Sequence, residues 1–332
     1  MSSHTFFCVD GHTAGMPVRM VVGGAPRLDG ADQSERRQHF LAEYDWIRTS
    51  LMFEPRGHEA MSGSIIYPPS SDAFDLGVIF IETSGSLPMC GHGTIGTVTF
   101  AVERGLVRPA DPGCIRLETP AGLVVAHYQQ DGDKVTGVRL TNVPSFLLLR
   151  DLAVEVPELG PLTVDVAYGG NFYAIVESQE GFRDLADFPP DALRRFGVDL
   201  MNRINETADV RHPTDPTIAG VSHCQWTGVA TKPEADGRNC VIAGARLIDR
   251  SPCGTGTSAR MAQRAARGLM ATGDSFVHES IVGSTFTGRI EAETTVANLK
   301  AIVPSVEGRA FITGFNTLFV DDNEPYREGF LL

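Results

Sequence analysis

Cys90-Gly-His-Gly-Thr-Ile-Gly-Thr-Val-Thr-Phe-Ala-Val-Glu-Arg-Gly-Leu-Val107 can be laid without a gap on Cys253-Gly-Thr-Gly-Thr-Ser-Ala-Arg-Met-Ala-Gln-Arg-Ala-Ala-Arg-Gly-Leu-Met270. Seven of the 18 positions are identical: the Cys, two Gly, a Thr and the closing Arg-Gly-Leu. The copies stand almost half of the 332 residues apart. Each follows a strand-like run (residues 76–82 and 243–248) and a proline-bearing turn (Leu87-Pro88-Met89 and Ser251-Pro252). Each then runs into a helix closed by Gly105 or Gly268, glycine being the usual residue just past a helix end. The chain therefore reads as two homologous halves, each presenting a cysteine at the start of a helix.

Around this repeat lie short strands and a few helices. Residues 6–9, 18–22, 64–67, 76–82, 122–127, 135–140, 162–166, 171–177, 240–248 and 311–320 have the length and β-branched or aromatic content of strands. Phe40, Tyr44, Ile47 and Leu51 share one face of a helix starting near Asp32. Leu193, Phe196, Leu200 and Ile204 do the same in a segment opened by Pro190-Asp191. No Gly/Ser linker, low-complexity tract or charge block interrupts the chain, so two domains would have to pack closely.

Composition narrows the function. With 42% hydrophobic and 21% charged residues the chain is ordinary globular protein rather than disordered. Lys and Arg number 28 against 41 Asp and Glu, a net charge of −13. Such a surface repels phosphate backbones and anionic lipid, which argues against nucleic acid and membrane partners. No run approaches the roughly 20 apolar residues that cross a bilayer, and Met1-Ser-Ser-His-Thr-Phe-Phe-Cys8 lacks the basic and apolar regions of a signal peptide. The six cysteines form no CxxC pair and are too few for a disulfide scaffold. A reducing cytoplasm is the expectation, and there a thiol that matters is catalytic rather than structural.

A strand–Cys–Gly-x-Gly–helix turn has specific chemistry. Helix N-termini carry unpaired N–H groups and about half a positive charge, which is expected to lower the thiol pKa toward neutrality. The neighbouring glycines let backbone approach a ligand, and the free amides can hold a carboxylate. If the halves face each other, two thiols flank the α-carbon of one bound amino acid. One thiolate removes the α-proton while the opposite thiol delivers another, each within roughly 3–3.5 Å of the carbon. Running the reaction backwards exchanges the roles, so acid and base should be the same residue type. Nothing in the sequence asks for a cofactor or a metal.

Met89-Cys-Gly-His-Gly-Thr-Ile-Gly and Asp249-Arg-Ser-Pro-Cys-Gly-Thr-Gly-Thr-Ser-Ala resemble the two signature motifs of the proline racemase superfamily, over essentially the whole chain. Asp10-Gly-His-Thr, Glu54-Pro-Arg-Gly-His, Met61-Ser-Gly-Ser, Tyr168-Gly-Gly-Asn-Phe-Tyr-Ala-Ile-Val and His278-Glu-Ser-Ile also match. Within the superfamily the chain looks most similar to the bacterial 4-hydroxyproline 2-epimerases. The resemblance implies an α/β (α+β) fold of two pseudo-symmetric halves, each a curved, mostly antiparallel sheet around a central helix, like diaminopimelate epimerase. By that analogy residues 1–130 with 305–332 form the half carrying Cys90, and residues 131–304 the half carrying Cys253. The resemblance further implies that Cys90 and Cys253 are the acid/base pair. Gly91, His92, Gly254 and Thr255 would bind the substrate carboxylate, largely through backbone amides. Asp249 would hold the ring nitrogen, with His223 nearby. Family members are typically dimeric and cofactor-free, and the implied reaction inverts C2 of trans-4-hydroxy-L-proline to give cis-4-hydroxy-D-proline.

Relatives sharpen this expectation. The trans-3-hydroxyproline dehydratases of the superfamily keep only one cysteine, whereas Cys253 is present here. Proline racemases keep both and remain the alternative. His12-Thr-Ala-Gly-Met16-Pro departs from the His-Thr-Cys-Gly-Asn-Pro of many hydroxyproline epimerases, which bears on substrate and not on chemistry.

Plainer readings exist for each residue. Cys8, Cys114, Cys224 and Cys240 read as small hydrophobes. Asp249 could cap a turn, His223 could be a satisfied strand residue, and Gly254-Thr-Gly-Thr-Ser lacks the Gly-Lys of a P-loop. Cys90-x-His92 and His223-Cys224 lack the four-ligand spacing of a zinc site, and ligands at the start of a helix are expected to point apart. A one-cysteine hydrolase or peroxidase leaves Cys253 unexplained. A non-catalytic binding module would hold a cyclic amino acid without exchanging its α-hydrogen.

Overall fold

The computed structural model describes residues 3–332; Met1 and Ser2, which open the segment read as lacking a signal peptide, lie outside them. In chain order the first elements are β1 (Ser3–Thr13), β2 (Met16–Gly23), α1 (Gln33–Glu43), α2 (Asp45–Met52), β3 (Ser62–Tyr67), β4 (Leu76–Glu82), β5 (Gly85–Leu87), α3 (Gly91–Glu103), β6 (Cys114–Thr119), β7 (Gly122–Asp131) and β8 (Lys134–Thr141). There follow β9 (Ser145–Val156), β10 (Gly160–Tyr168), β11 (Phe172–Val176), α4 (Pro190–Thr207), β12 (His223–Gly228), β13 (Gly237–Ala243), β14 (Leu247–Ile248) and α5 (Gly254–Ala266). The chain ends with β15 (Ser275–Glu279), β16 (Thr285–Val296), β17 (Leu299–Gly308) and β18 (Ala310–Asp321). One compact unit comprises Met1–Leu140 with Gly308–Leu332, and the other Thr141–Glu307. β8 begins on the first unit because the Glu103 carboxylate of α3 accepts from the Val135 amide and from Lys134 Nζ.

In the first unit the strands pair β18–β1–β2 antiparallel, β2–β3 parallel, β3–β4 antiparallel, β4–β6 parallel and β6–β7 antiparallel. The second unit repeats that sequence of orientations as β9–β10–β11, β11–β12, β12–β13, β13–β15 and β15–β16. It then closes through β16–β17 and β17–β9. The register repeats as well. Gly77 of β4 faces Glu118 of β6, and Arg238 of β13 faces Glu279 of β15. Glu118 accepts from the amide and hydroxyl of Ser70, and Glu279 from the amide and hydroxyl of Thr231. The repeat therefore extends well beyond the 18 residues visible in sequence.

The helix that follows each cysteine is the core of its unit. α3 is buried at every position from Gly91 to Ala101, and α5 from Gly254 to Gln263. A helix buried all round must be apolar or have its polar groups paired, and the two units differ in which they use. α3 buries Ile95, Val98 and Phe100 and ties Thr97 to Ser64 by a 2.6 Å hydroxyl contact. α5 carries Arg260 and Gln263 and is followed by Arg267, and these bond Glu177 just after β11 and Asp165 of β10. Breaking one partner of such a buried pair would leave an uncompensated charge.

Two local expectations need correction. The single helix expected from Asp32 is two, because Tyr44 takes φ −131° and ends α1, and α2 starts at Asp45. Asp32 does cap α1, accepting from the Glu35 amide at 2.9 Å. The run 240–248 is two strands, β13 and β14, because Gly244 turns the chain at φ 54°. The periodic face of Leu193, Phe196, Leu200 and Ile204 is buried in α4, as its spacing predicts. No helix among the described residues is long and apolar enough to cross a membrane.

Candidate active site

Cys90 leaves β5 in extended backbone, φ −137° and ψ 112°, and caps α3 with its sulfur, which accepts from the Gly93 amide at 3.3 Å. A side chain at position 93 would put its Cβ 2.9 Å from that sulfur, which is why glycine is needed there. The Cys90 Sγ lies 3.4 Å from Glu82 Oε1 at the end of β4 and 3.4 Å from His92 Nδ1 in the first turn of α3. Ser62 Oγ, at the start of β3, donates to Glu82 Oε1 at 3.0 Å and stands 2.9 Å from His92 Nε2. Ser84 Oγ donates to Glu82 Oε2 at 3.2 Å. All of Ser62, Glu82, Cys90 and His92 are buried.

Cys253 starts α5 from a different backbone state, φ 63° and ψ 105°. A non-glycine residue there is strained, and such strain is typically held where function needs it. The turn before it supplies the restraint. Asp249 Oδ1 accepts from the Ser251 amide at 2.7 Å, and Ser251 Oγ accepts from the Cys253 amide at 3.1 Å. Asn239 Nδ2 donates to Pro252 O at 2.7 Å, while His278 Nδ1 lies 2.9 Å from Thr257 Oγ1 and 3.3 Å from Asn239 Nδ2. The Cys253 sulfur faces Tyr173 Oη at 3.2 Å, and Thr255 Oγ1 lies 2.5 Å from the same hydroxyl. The His223 ring lies tilted over Tyr173 with centroids 4.6 Å apart, and Ser222 Oγ meets His223 Nδ1 at 2.8 Å.

The electrostatics correct one expectation. The start of α5 does not lower the Cys253 thiol: burial pushes it well up, the Asp249 charge adds to the rise, and the Tyr173 hydroxyl only partly opposes it. Tyr173 is likewise driven up, first by burial and then by Cys253, so it stays an O–H donor. The dry surroundings of Cys253 outweigh its helix terminus. Burial also raises the other strand thiols, Cys8 and Cys240 to about 12, which fits their reading as core residues.

Each residue named from the sequence has a definite place. Gly91 and Gly254 are the first residues of α3 and α5, and His92 and Thr255 follow them with side chains turned toward the adjacent sulfurs. Asp249 caps the Ser251 turn, as its plainer reading had it, and its Oδ2 makes no hydrogen bond among the described residues. Met16 is fully buried at the start of β2. Ser62, Glu82 and Tyr173 were missed as site residues. Ser62 and Tyr173 sit in matching motifs, Met61-Ser-Gly-Ser and Tyr168-Gly-Gly-Asn-Phe-Tyr, whereas Glu82 had no signal beyond ending a strand. The expectation that donors at the start of a helix point apart fails at Cys90, because His92 folds back over the sulfur. Donor atoms of Glu82, Cys90 and His92 fall within 4.8 Å of one another, a spacing that could hold a metal ion. Hydrogen bonds among them and with Ser62 account for that spacing.

A family description, proline racemase, matches residues 8–331. The 4-hydroxyproline epimerase of Brucella ovis is 59% identical over 330 residues, 99% of both chains. The 4-hydroxyproline 2-epimerase of Ancylobacter novellus is 58% identical over 332 residues, the whole of both. Among solved structures, a hydroxyproline epimerase from Agrobacterium vitis with bound trans-4-OH-L-proline superposes with a TM-score of 0.92 at 32% identity. That match covers 99% of this chain and 95% of the other.

Proposed function

The chain belongs to the proline racemase family, and from that premise we propose that it inverts C2 of trans-4-hydroxy-L-proline to give cis-4-hydroxy-D-proline, using Cys90 and Cys253 and no cofactor. The substrate rests on full-length relatives at 58–59% identity that carry that activity in their names. The mechanism rests on one observation: a duplicated turn in which each cysteine is buried immediately before the first residue of a core helix.

Inversion needs a base on one face of C2 and an acid on the other. In one direction a thiolate takes the C2 proton, so that C–H breaks and S–H forms, while the opposite thiol gives its proton to the carbanion. The first-turn amides of α3 and α5, at Gly91, His92, Gly254 and Thr255, would hold the carboxylate as charge builds on it. Asp249 would take the ring N–H with Oδ2. Burial raises the cost of a thiolate at Cys253, so the resting state we assign to Cys253 is the thiol. We further propose a homodimer working in a reducing cytoplasm, where its six free cysteines stay reduced.

The test is incubation with trans-4-hydroxy-L-proline in D2O, followed by proton NMR and chiral analysis. Loss of the C2 proton with appearance of the cis-D isomer is the expected result. Exchange with L-proline alone would make the protein a proline racemase. Absence of exchange with every cyclic amino acid would leave a binding protein.

A further inference from the structure

We propose that Glu82 and Ser62 are positioning residues that fix the tautomer of His92, so that its Nδ1 lone pair faces Cys90 and receives the thiol proton. The inference rests on Cys90 being the proton-transferring thiol proposed above. Ser62 has one hydroxyl proton and two neighbours. An ionised carboxylate can only accept, so the proton goes to Glu82 Oε1 at 3.0 Å. The Ser62 oxygen, 2.9 Å from His92 Nε2, must then accept, and Nε2 carries the hydrogen. A neutral imidazole protonated at Nε2 has its lone pair at Nδ1, which lies 3.4 Å from the Cys90 sulfur.

The transfer balances. S–H breaks at Cys90 and N–H forms at His92 Nδ1, giving thiolate and imidazolium from thiol and imidazole. The imidazolium keeps both its hydrogens engaged, one on Ser62 and one on the thiolate. The carboxylate behind Ser62 stabilises the new positive charge. The ionisable groups facing His92 are Cys90 at the start of α3 and Glu82 of β4, whose Oε1 accepts from Ser62 and also lies 3.4 Å from the Cys90 sulfur. The second unit has no copy of this device. Its β12–β13 register pairs His223 with Ala243 where the first unit pairs Ser62 with Glu82, and Thr255 stands in the place of His92.

The test uses full-length protein and reads the thiols directly. Initial rates of iodoacetamide labelling at Cys90 and Cys253 are followed by mass spectrometry across pH, in wild type, Ser62→Ala, Ser62→Thr and Glu82→Gln. Ser62→Ala should slow Cys90 labelling at neutral pH by about 10- to 100-fold, the usual effect of losing a partner that orients a functional histidine, and its Cys90 profile should move to higher pH. Glu82→Gln also removes a negative charge 3.4 Å from the sulfur, so in that variant the His92 tautomer is the readout. Ser62→Thr, which keeps the hydroxyl, should stay near wild type, and Cys253 labelling in the same samples reports that the protein is folded. Nitrogen-15 NMR should show His92 as the Nε2–H tautomer in wild type. An unchanged Cys90 rate in Ser62→Ala would overturn the proposal, as would an equal loss in Ser62→Thr or an Nδ1–H tautomer in wild type. None of these readings needs turnover, so they separate failure of the relay from failure of the hydroxyproline assignment.

Discussion

The two units share a backbone plan and differ in what they set around their cysteines. Strand orientations and the β4–β6 and β13–β15 registers repeat, and so does the Glu118 and Glu279 clamp on a serine or threonine. At equivalent positions, Glu82 and Ser62 become Ala243 and His223, and Leu117 becomes His278. Cys90 sits in relaxed backbone with a carboxylate and an imidazole against its sulfur. Cys253 sits in strained backbone with a phenol and a threonine hydroxyl against its own. Duplication kept the geometry that presents a sulfur at a helix start, and divergence gave the two sulfurs different neighbours.

The strongest way to break this comparison is to remove each sulfur. Cys90→Ser and Cys253→Ser should each lower epimerisation by at least about 10²-fold, because a serine hydroxyl is a far poorer base at neutral pH. Chiral analysis of the product decides it, and near-wild-type turnover in either variant would mean that the units do not share the reaction.

Acid stability comes next. Burial, helped by the charges of Arg260 and Arg264, holds the His278 imidazole at about 3 instead of 6.5. The folded state thus refuses a proton that the unfolded chain accepts below 6.5. Its stabilising effect is complete above pH 6.5 and is lost as pH falls toward 3, by a few kcal/mol in all. His278→Leu, which copies Leu117 of the first unit, should flatten thermal stability against pH in that window. It should also lower the plateau at neutral pH by about 1–3 kcal/mol as Thr257 and Asn239 lose a buried partner. An unchanged slope would show that His278 is not what distinguishes the second unit in acid.

Gly93→Ala and Gly256→Ala probe what the units have in common. The new Cβ would lie 2.9 Å from the Cys90 sulfur in one case, and 2.6 Å from Gln225 Oε1 and 3.1 Å from the Cys253 sulfur in the other. Each should cost about 1–3 kcal/mol in chemical denaturation, and a free substitution at either would mean that its helix start can slide away from the thiol. The smallest expected effect is at Tyr173→Phe. Removing the hydroxyl 3.2 Å from the Cys253 sulfur should slow turnover about tenfold, the worth of one hydrogen bond to a charged group, while leaving Cys90 labelling unchanged. Loss of Cys90 labelling in that variant would erase the distinction between the two half-sites.

Much of the protein was legible because its signals are local. The aligned Cys-Gly-x-Gly turns announce both helix starts, and the spacing of Leu193, Phe196, Leu200 and Ile204 announces α4. Tyr44 was misread because its apolar side chain fits the helical period while its backbone leaves the helix. β9 and β16 escaped notice because long strands carrying several exposed residues lack a clean apolar alternation.

The sequence by itself determined that there are two copies of one turn, that each begins a helix with a cysteine, and that glycines keep the backbone bare beside each sulfur. Those facts are short-range, written within a few residues of the cysteines. Only the tertiary structure decided what each sulfur meets. Glu82 reaches Cys90 and Ser62 reaches His92 from separate strands, and Tyr173 reaches Cys253 from a strand 80 residues earlier. It also decided that burial, and not the helix terminus, governs Cys253. Proton affinity depends on solvent exclusion and on charges brought together by strand register, and neither is encoded at the cysteine itself.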